Sequence, residues 1–176
     1  MTGPLLSGRR ITWAAAIAVL ALDQVSKAAL VRALDPDAAV SLVPGLFRLT
    51  LVTNTGGVFG ILRDLNGPGR SILFGMLPLA AILLLVWYAR SINPPRALPL
   101  GAIGLILGGA AGNLLDRIRL GHVVDFLDAY VGDWHWPAFN LADSGICVGV
   151  ALLLLDSLIS RPAGEDAPPA APAPPS

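Results

Sequence analysis

The chain has 176 residues, 55% of them hydrophobic and only 14% charged, with twelve basic and twelve acidic side chains and no formal net charge. So little charge cannot clothe a soluble domain of this size, and the balance leaves no basic field for nucleic acid. One cysteine, Cys147, and two histidines, His122 and His135, exclude an internal disulfide framework and a CxxC metal site and argue against a zinc hydrolase. No metal and no cofactor is expected, and the length suits one compact membrane domain over residues 1–161.

A membrane-crossing helix needs roughly 20 mostly apolar residues. Four segments qualify, at about 11–31, 72–89, 97–115 and 141–159. Arg9-Arg10 precedes the first in the manner of a cleavable signal, but Leu22-Asp23-Gln24 follows where small residues would be needed, so an uncleaved helix is expected. Within it Asp23 and Lys27 are four apart and can pair on one face, which offsets much of the cost of placing either near lipid. The pair reads as structural, holding the helix to its neighbours. A proton relay is the alternative, and it lacks a second buried carboxylate in the same span.

Between the first two spans, Phe47, Leu49 and Leu51 alternate with Arg48 and Thr50, the pattern of a half-buried strand. Thr55-Gly56-Gly57 ends it with a turn. Gly56-Gly57, Gly60 and Gly67 suggest that the 32–70 segment moves as a lid. In the second span Pro78 is expected to kink the helix. Gly104, Gly108 and Gly112 recur every four residues in the third span, so a neighbouring helix can approach closely there. Asn113 and Arg117 follow on one face, either holding a peptide carbonyl at the membrane edge or forming an interfacial cap with Arg117 snorkelling to headgroups.

Val123-Val124-Asp125-Phe126 reads as a second short strand, so a small sheet on the membrane surface is expected. Asp128 and Asp133 look like solvated loop acids, His122 like a lone loop histidine, and Trp134-His135-Trp136-Pro137 like an interfacial aromatic anchor. Asn140 can cap the fourth span, with Asp143 at its third position. Cys147 reads as a packing residue of that helix. Residues 162–176, six of them proline and five alanine, are expected to form a disordered tail. Four spans put both termini on one side. Arg9-Arg10 and the short 90–96 connection mark that side as cytoplasmic, leaving residues 32–70 and 116–140 outside.

Two carboxylates stand out. A carboxylate near hydrocarbon is expensive and by default functional. A strand leading to Asp125 and a helix starting near Asn140 can bring Asp125 and Asp143 together. Two carboxylates within hydrogen-bond range share one proton. The ionised partner can then take a proton from water while the protonated one polarises a scissile carbonyl, as hydrolysis without metal or covalent intermediate requires. An ion- or proton-coupled transporter would instead put charges at mid-membrane and show internal repeats. Here Asp23, Asp116 and Asp143 fall toward helix ends, and no repeat is present. A non-enzymatic scaffold leaves the two Asp motifs unexplained.

Taken in order, the motifs resemble the lipoprotein signal peptidase (signal peptidase II) family. The matching pieces are Asp23-Gln24 with Lys27, Asn54-Thr55-Gly56 with Phe59-Gly60, Gly112-Asn113 with Asp116-Arg117, Val123-Val124-Asp125-Phe126, and Trp136-Pro137-Ala138-Phe139-Asn140-Leu141-Ala142-Asp143. The likeness covers most of residues 11–160 and leaves out the tail. Gly57 and Val58 depart from the family's usual Ala-Ala/Ser in the asparagine loop.

The resemblance implies an all-α membrane protein with a small β element: four transmembrane helices and an extracytoplasmic sheet on the membrane surface. It implies a multi-pass aspartic endopeptidase of the bacterial inner membrane that removes signal peptides from diacylglyceryl-modified prolipoproteins, cutting just before the lipid-bearing cysteine. Asp125 and Asp143 match the catalytic pair. Asn54, Gly56, Asn113, Asp116, Arg117 and Asn140 match residues that line or support the site, and Asp23 and Lys27 match the first-helix polar pair. The partners implied are the lipid-modified substrate and membrane lipid, with no nucleic acid, and a monomer suffices.

Overall fold

The computed structural model describes residues 4–55, 69, 72–93 and 95–160. Gly56 to Gly60, Gly67 and the 162–176 tail lie outside these residues, and with them most of the suggested lid. Helix α1 (Pro4–Ala33) leads into strands β1 (Val40–Val43) and β2 (Phe47–Asn54). A π-helical turn (Ile72–Met76) runs into α2 (Leu77–Ser91), followed by α3 (Ala97–Leu120), β3 (Val123–Val131), β4 (Trp134–His135) and α4 (Leu141–Ile159). Four helical stretches are long and apolar enough to cross a membrane: Arg9–Ala33, Phe74–Ser91, Ala97–Leu120 and Leu141–Ile159.

The four expected spans are therefore present, and the first and third run longer than their apolar stretches. Pro78 differs from expectation. It sits in the first turn of α2, where a missing N–H costs nothing, so it starts the helix after the π-turn instead of kinking its interior. Cys147 also differs: it lies exposed on α4.

Polarity is arranged for a bilayer. Leu83, Leu84, Trp87 and Leu158 are exposed, while Asp23, Lys27, Asp116, Asp125 and Asn140 are buried. Helix α3 is the central element, and its glycines let its neighbours close in. A Cβ on Gly104 or Gly108 would strike the Thr12 or Ala16 carbonyl of α1. One on Gly109 would strike the Ala142 carbonyl of α4, and one on Gly112 would stand 2.7 Å from Asp23 Oδ2. The glycine spacing thus does what it promised and holds three helix backbones in near contact.

The strands form one antiparallel sheet in the order β1-β2-β3-β4. β3 extends to Val131, five residues past its apolar core motif, and β1 and β4 carry no strong alternation in the sequence. A bulge in β2 between Leu49 and Val52 sets Val52 opposite Asp125. Asn54 lies two residues further along, on the same side as Val52. Gly121, at φ 77°, ends α3 in the left-handed conformation and turns the chain directly into β3.

Candidate active site

The C-terminal ends of α1 and α3, the N-terminus of α4 and the strands β2 and β3 meet at one end of the bundle. Asn140 joins them. It is fully buried, and its side chain accepts from the Asp143 N–H at 2.9 Å while its own N–H donates to Asp143 Oδ2 at 3.3 Å. That is a reciprocal capping box at the start of α4, so the expected cap is present with Asp143 at the third position. Asn140 Nδ2 also donates to Asp125 Oδ1 at 2.7 Å. The same residue that starts the helix thus bridges the two aspartates.

Neutral amides hold both carboxylates at this junction. Asn54 Nδ2 donates to Asp125 Oδ2 at 3.0 Å, reaching it diagonally across the β2–β3 ladder. Asn113 Nδ2 donates to Asp143 Oδ1 at 2.7 Å. Each carboxylate therefore accepts on both oxygens. Burial pushes the Asp125 carboxyl up to about 6, the donors Asn54 and Asn140 oppose the rise, and the Asp143 charge adds to it.

Asp23, Lys27 and Asp116 are brought together as well. Lys27 Nζ lies 2.8 Å from Asp23 Oδ2 and 2.7 Å from Asp116 Oδ2, with all three side chains buried. Asp23 Oδ1 accepts from the Ala142 N–H at 3.0 Å, satisfying an orphan amide of the first turn of α4. Asp116 Oδ2 accepts from Val124 N–H at 3.3 Å, tying α3 to β3. Gln24, quoted above only as part of the Asp23-Gln24 motif and given no role, donates to Asp116 Oδ1 at 2.9 Å. Its three-residue spacing from Lys27 was the available signal.

Asn113 and Arg117 lie four apart on the side of α3 that faces the aspartates, and the Asn113 amide turns to Asp143. Arg117 donates to the Asn113 carbonyl at 3.3 Å, and its guanidinium lies 5.7 Å from the Phe74 ring centroid. Nothing in the sequence joins Phe74 to Arg117, because the contact spans 43 residues. Asn54, Thr55, Phe74, Gly75, Leu114 and Arg117 line much of a cleft of about 260 Å³ beside the pair. His122 also lines it.

Asp128 is corrected from a solvated loop acid to a buried member of β3. Arg48 lies directly opposite it and donates at 2.6 Å, and His135 Nδ1 stands 2.9 Å from Oδ1. His135 also stacks on Tyr130, with ring centroids 5.4 Å apart. It belongs to the sheet, whereas Trp134 and Trp136 remain exposed as an aromatic anchor would be, and Asp133 is exposed as expected.

The model of the family described as signal peptidase (SPase) II matches residues 15–159. The chain is 47% identical over 146 residues to a lipoprotein signal peptidase of Syntrophotalea carbinolica, covering 83% of this chain and 89% of that one. It is 42% identical over 158 residues to a lipoprotein signal peptidase of Neisseria gonorrhoeae, covering 89% and 94%. A bacterial membrane enzyme solved by the in meso method at 1.9 Å resolution superposes with a TM-score of 0.74 at 28% identity, covering 85% of this chain and 94% of that chain.

Proposed function

Since the chain belongs to the signal peptidase II family, we propose that it is an aspartic endopeptidase that removes the signal peptide from diacylglyceryl-modified prolipoproteins, cutting just before the modified cysteine. One observation carries the reading: Asn140 bridges Asp125 and Asp143 at the end of a helical bundle, beside an open cleft. A substrate already anchored in the bilayer diffuses in two dimensions to that end. Its acyl chains stay among the helices, where each buried methylene stabilises by about 0.8 kcal/mol.

The chemistry runs in two steps. The ionised carboxylate takes a proton from water as the water oxygen bonds to the scissile carbonyl carbon, and the protonated carboxyl passes its proton to the carbonyl oxygen. The tetrahedral intermediate then returns a proton to the second carboxylate, the C–N bond breaks, and the first carboxyl gives its proton to the leaving amine. Both groups end as they began. Asn54, Asn113 and Asn140 hold the carboxylates, and Arg117 stands at the cleft where the peptide backbone enters. The termini face the cytoplasm, the site lies near the extracytoplasmic surface, and a monomer contains every group named.

The test is cleavage of a diacylglyceryl-modified prolipoprotein by the purified protein in detergent, alongside Asp125→Asn and Asp143→Asn, with the unmodified precursor and a metal chelator as controls. Folded but inactive variants, with a wild type that resists chelation and ignores the unmodified precursor, support the proposal. Near-normal turnover by either variant overturns the two-carboxylate mechanism.

A further inference from the structure

One buried cation stands behind the aspartate pair. Besides its two carboxylates, Lys27 Nζ donates to Asn113 Oδ1 at 3.2 Å. Asn140 Nδ2 reaches the same oxygen at 3.1 Å. An amide whose oxygen is held by two donors must turn its NH2 the other way, and Asn113 Nδ2 meets Asp143 Oδ1 at 2.7 Å. An ammonium on the oxygen polarises that amide and strengthens the bond it donates, as linked hydrogen bonds do. Asp143 also sits in the first turn of α4, where the helix end favours negative charge.

Asp125 also feels the Lys27 charge, but it has neither the polarised amide nor the helix end. It lies on a strand, 1% exposed, and its two donors, Asn54 and Asn140, are neutral amides. The other charged groups around the pair do not reverse this asymmetry. Asp23, from α1, is occupied by Lys27, Gln24 and the Ala142 N–H. Asp116, from α3, is occupied by Lys27, Gln24 and the Val124 N–H. Arg117, also from α3, feels both aspartates.

We propose that Lys27, acting through Asn113, assigns the single proton of the pair: Asp143 is held ionised as the base that activates water, and Asp125 carries the proton that is passed to the scissile carbonyl oxygen. This rests on the two-aspartate reading above and names its roles. Lys27 touches neither water nor substrate; it is a positioning residue.

Infrared spectra of the whole protein at about pH 5, below the value near 6 that burial gives Asp125, test it directly. The C=O stretch of a protonated buried carboxyl should be lost in Asp125→Asn and kept in Asp143→Asn. Lys27→Gln should add a second such band that Asp143→Asn removes. It should also lower kcat by about tenfold, one pKa unit of preference between the two carboxylates, while KM stays within about twofold. If that single variant does not fold, Lys27→Gln with Asp116→Asn keeps the net charge of the Asp23, Lys27 and Asp116 cluster and carries the same expectation. A band lost in Asp143→Asn and kept in Asp125→Asn overturns the assignment, as does a folded Lys27 variant with wild-type kcat and no new band. Near-normal cleavage by either aspartate variant is a different result, because it removes the dyad itself.

Discussion

Replacing Asp125 by Asn should abolish cleavage and yet stabilise the fold at neutral pH. Burial is the main force that lifts this carboxyl to about 6 from an ordinary 3.8. A group that holds its proton more tightly when folded supports the fold in acid, and that support is lost as pH rises through the folded value. From about pH 4 to about pH 6 the unfolded chain has released its proton while the folded protein still holds it, so stability declines across that window and levels off above it. The decline amounts to about 3 kcal/mol. Asparagine at 125 cannot ionise and escapes it, but while its oxygen accepts from one of Asn54 and Asn140 its NH2 faces the NH2 of the other. One of these contacts is lost, at about 1 kcal/mol. The variant should therefore be less stable than wild type by about 1 kcal/mol near pH 4 and more stable by about 2 kcal/mol near pH 7. Unfolding midpoints in detergent, measured for both proteins from about pH 4 to pH 8, should cross. A gap of constant size and sign at every pH would refute the reasoning, because it would mean that Asp125 titrates as a solvated acid.

Asn140→Asp keeps an oxygen to cap α4 but cannot donate to Asp125, so it should fold and lose cleavage. Asn140→Ala loses cap and donor together and should also cost about 3 kcal/mol of stability by chemical unfolding. Gly109→Ala drives a methyl into the Ala142 carbonyl and to 2.8 Å from Ile146 Cγ1, so about 1–3 kcal/mol of stability and most activity should go. Gly101→Ala, whose methyl meets Ile11 Cγ2 at an ordinary 3.4 Å, is the control that leaves both measurements unchanged. Asp128→Asn should cost about 1 kcal/mol at neutral pH, a figure reduced for the partial exposure of Arg48 and His135. Burial alone would raise the Asp128 carboxyl, but His135 and Arg48 outweigh it and hold it below the usual range. Its contribution is therefore present above that range, and the gap between wild type and variant should close as unfolding is measured at more acid pH.

Much of this was legible in the chain because helices carry local signals. Apolar length marked all four spans, Asn140 with Asp143 marked the start of the fourth, and the Gly104, Gly108 and Gly112 spacing marked the face where helices meet. The local pattern misled where meaning depends on what lies across the fold. Asp128 stands among loop-like residues, yet cross-strand pairing with Arg48, eighty positions earlier, makes it a buried ion-pair partner. Pro78 looked like an interior kink only because the start of its helix was unknown. Asn113 and Arg117 share a helical face as their spacing implies, and Lys27 and Asp143 set which way the amide turns. Periodicity shows which residues can share a face; the partners across the bundle decide where their polar atoms point.

The close helix packing and the polar cluster are one design problem with one solution. Charges near hydrocarbon are tolerated only when each finds a partner, and a carboxylate on a short aspartate side chain reaches only about one layer of atoms. Gly112 removes the side chain that would stand between α1 and α3, so Asp23 can approach the first turn of α4 and accept the Ala142 N–H. Lys27 then lies between the Asp23 and Asp116 carboxylates, with one more donor left for Asn113. Enlarge Gly112 and the Asp23 carboxyl must retreat, the first turn of α4 loses its acceptor, and Asp143 loses the register in which Asn113 and Asn140 reach it. The glycine face in the third helix is thus as much a part of the candidate site as the two aspartates, although it contributes no functional group to it.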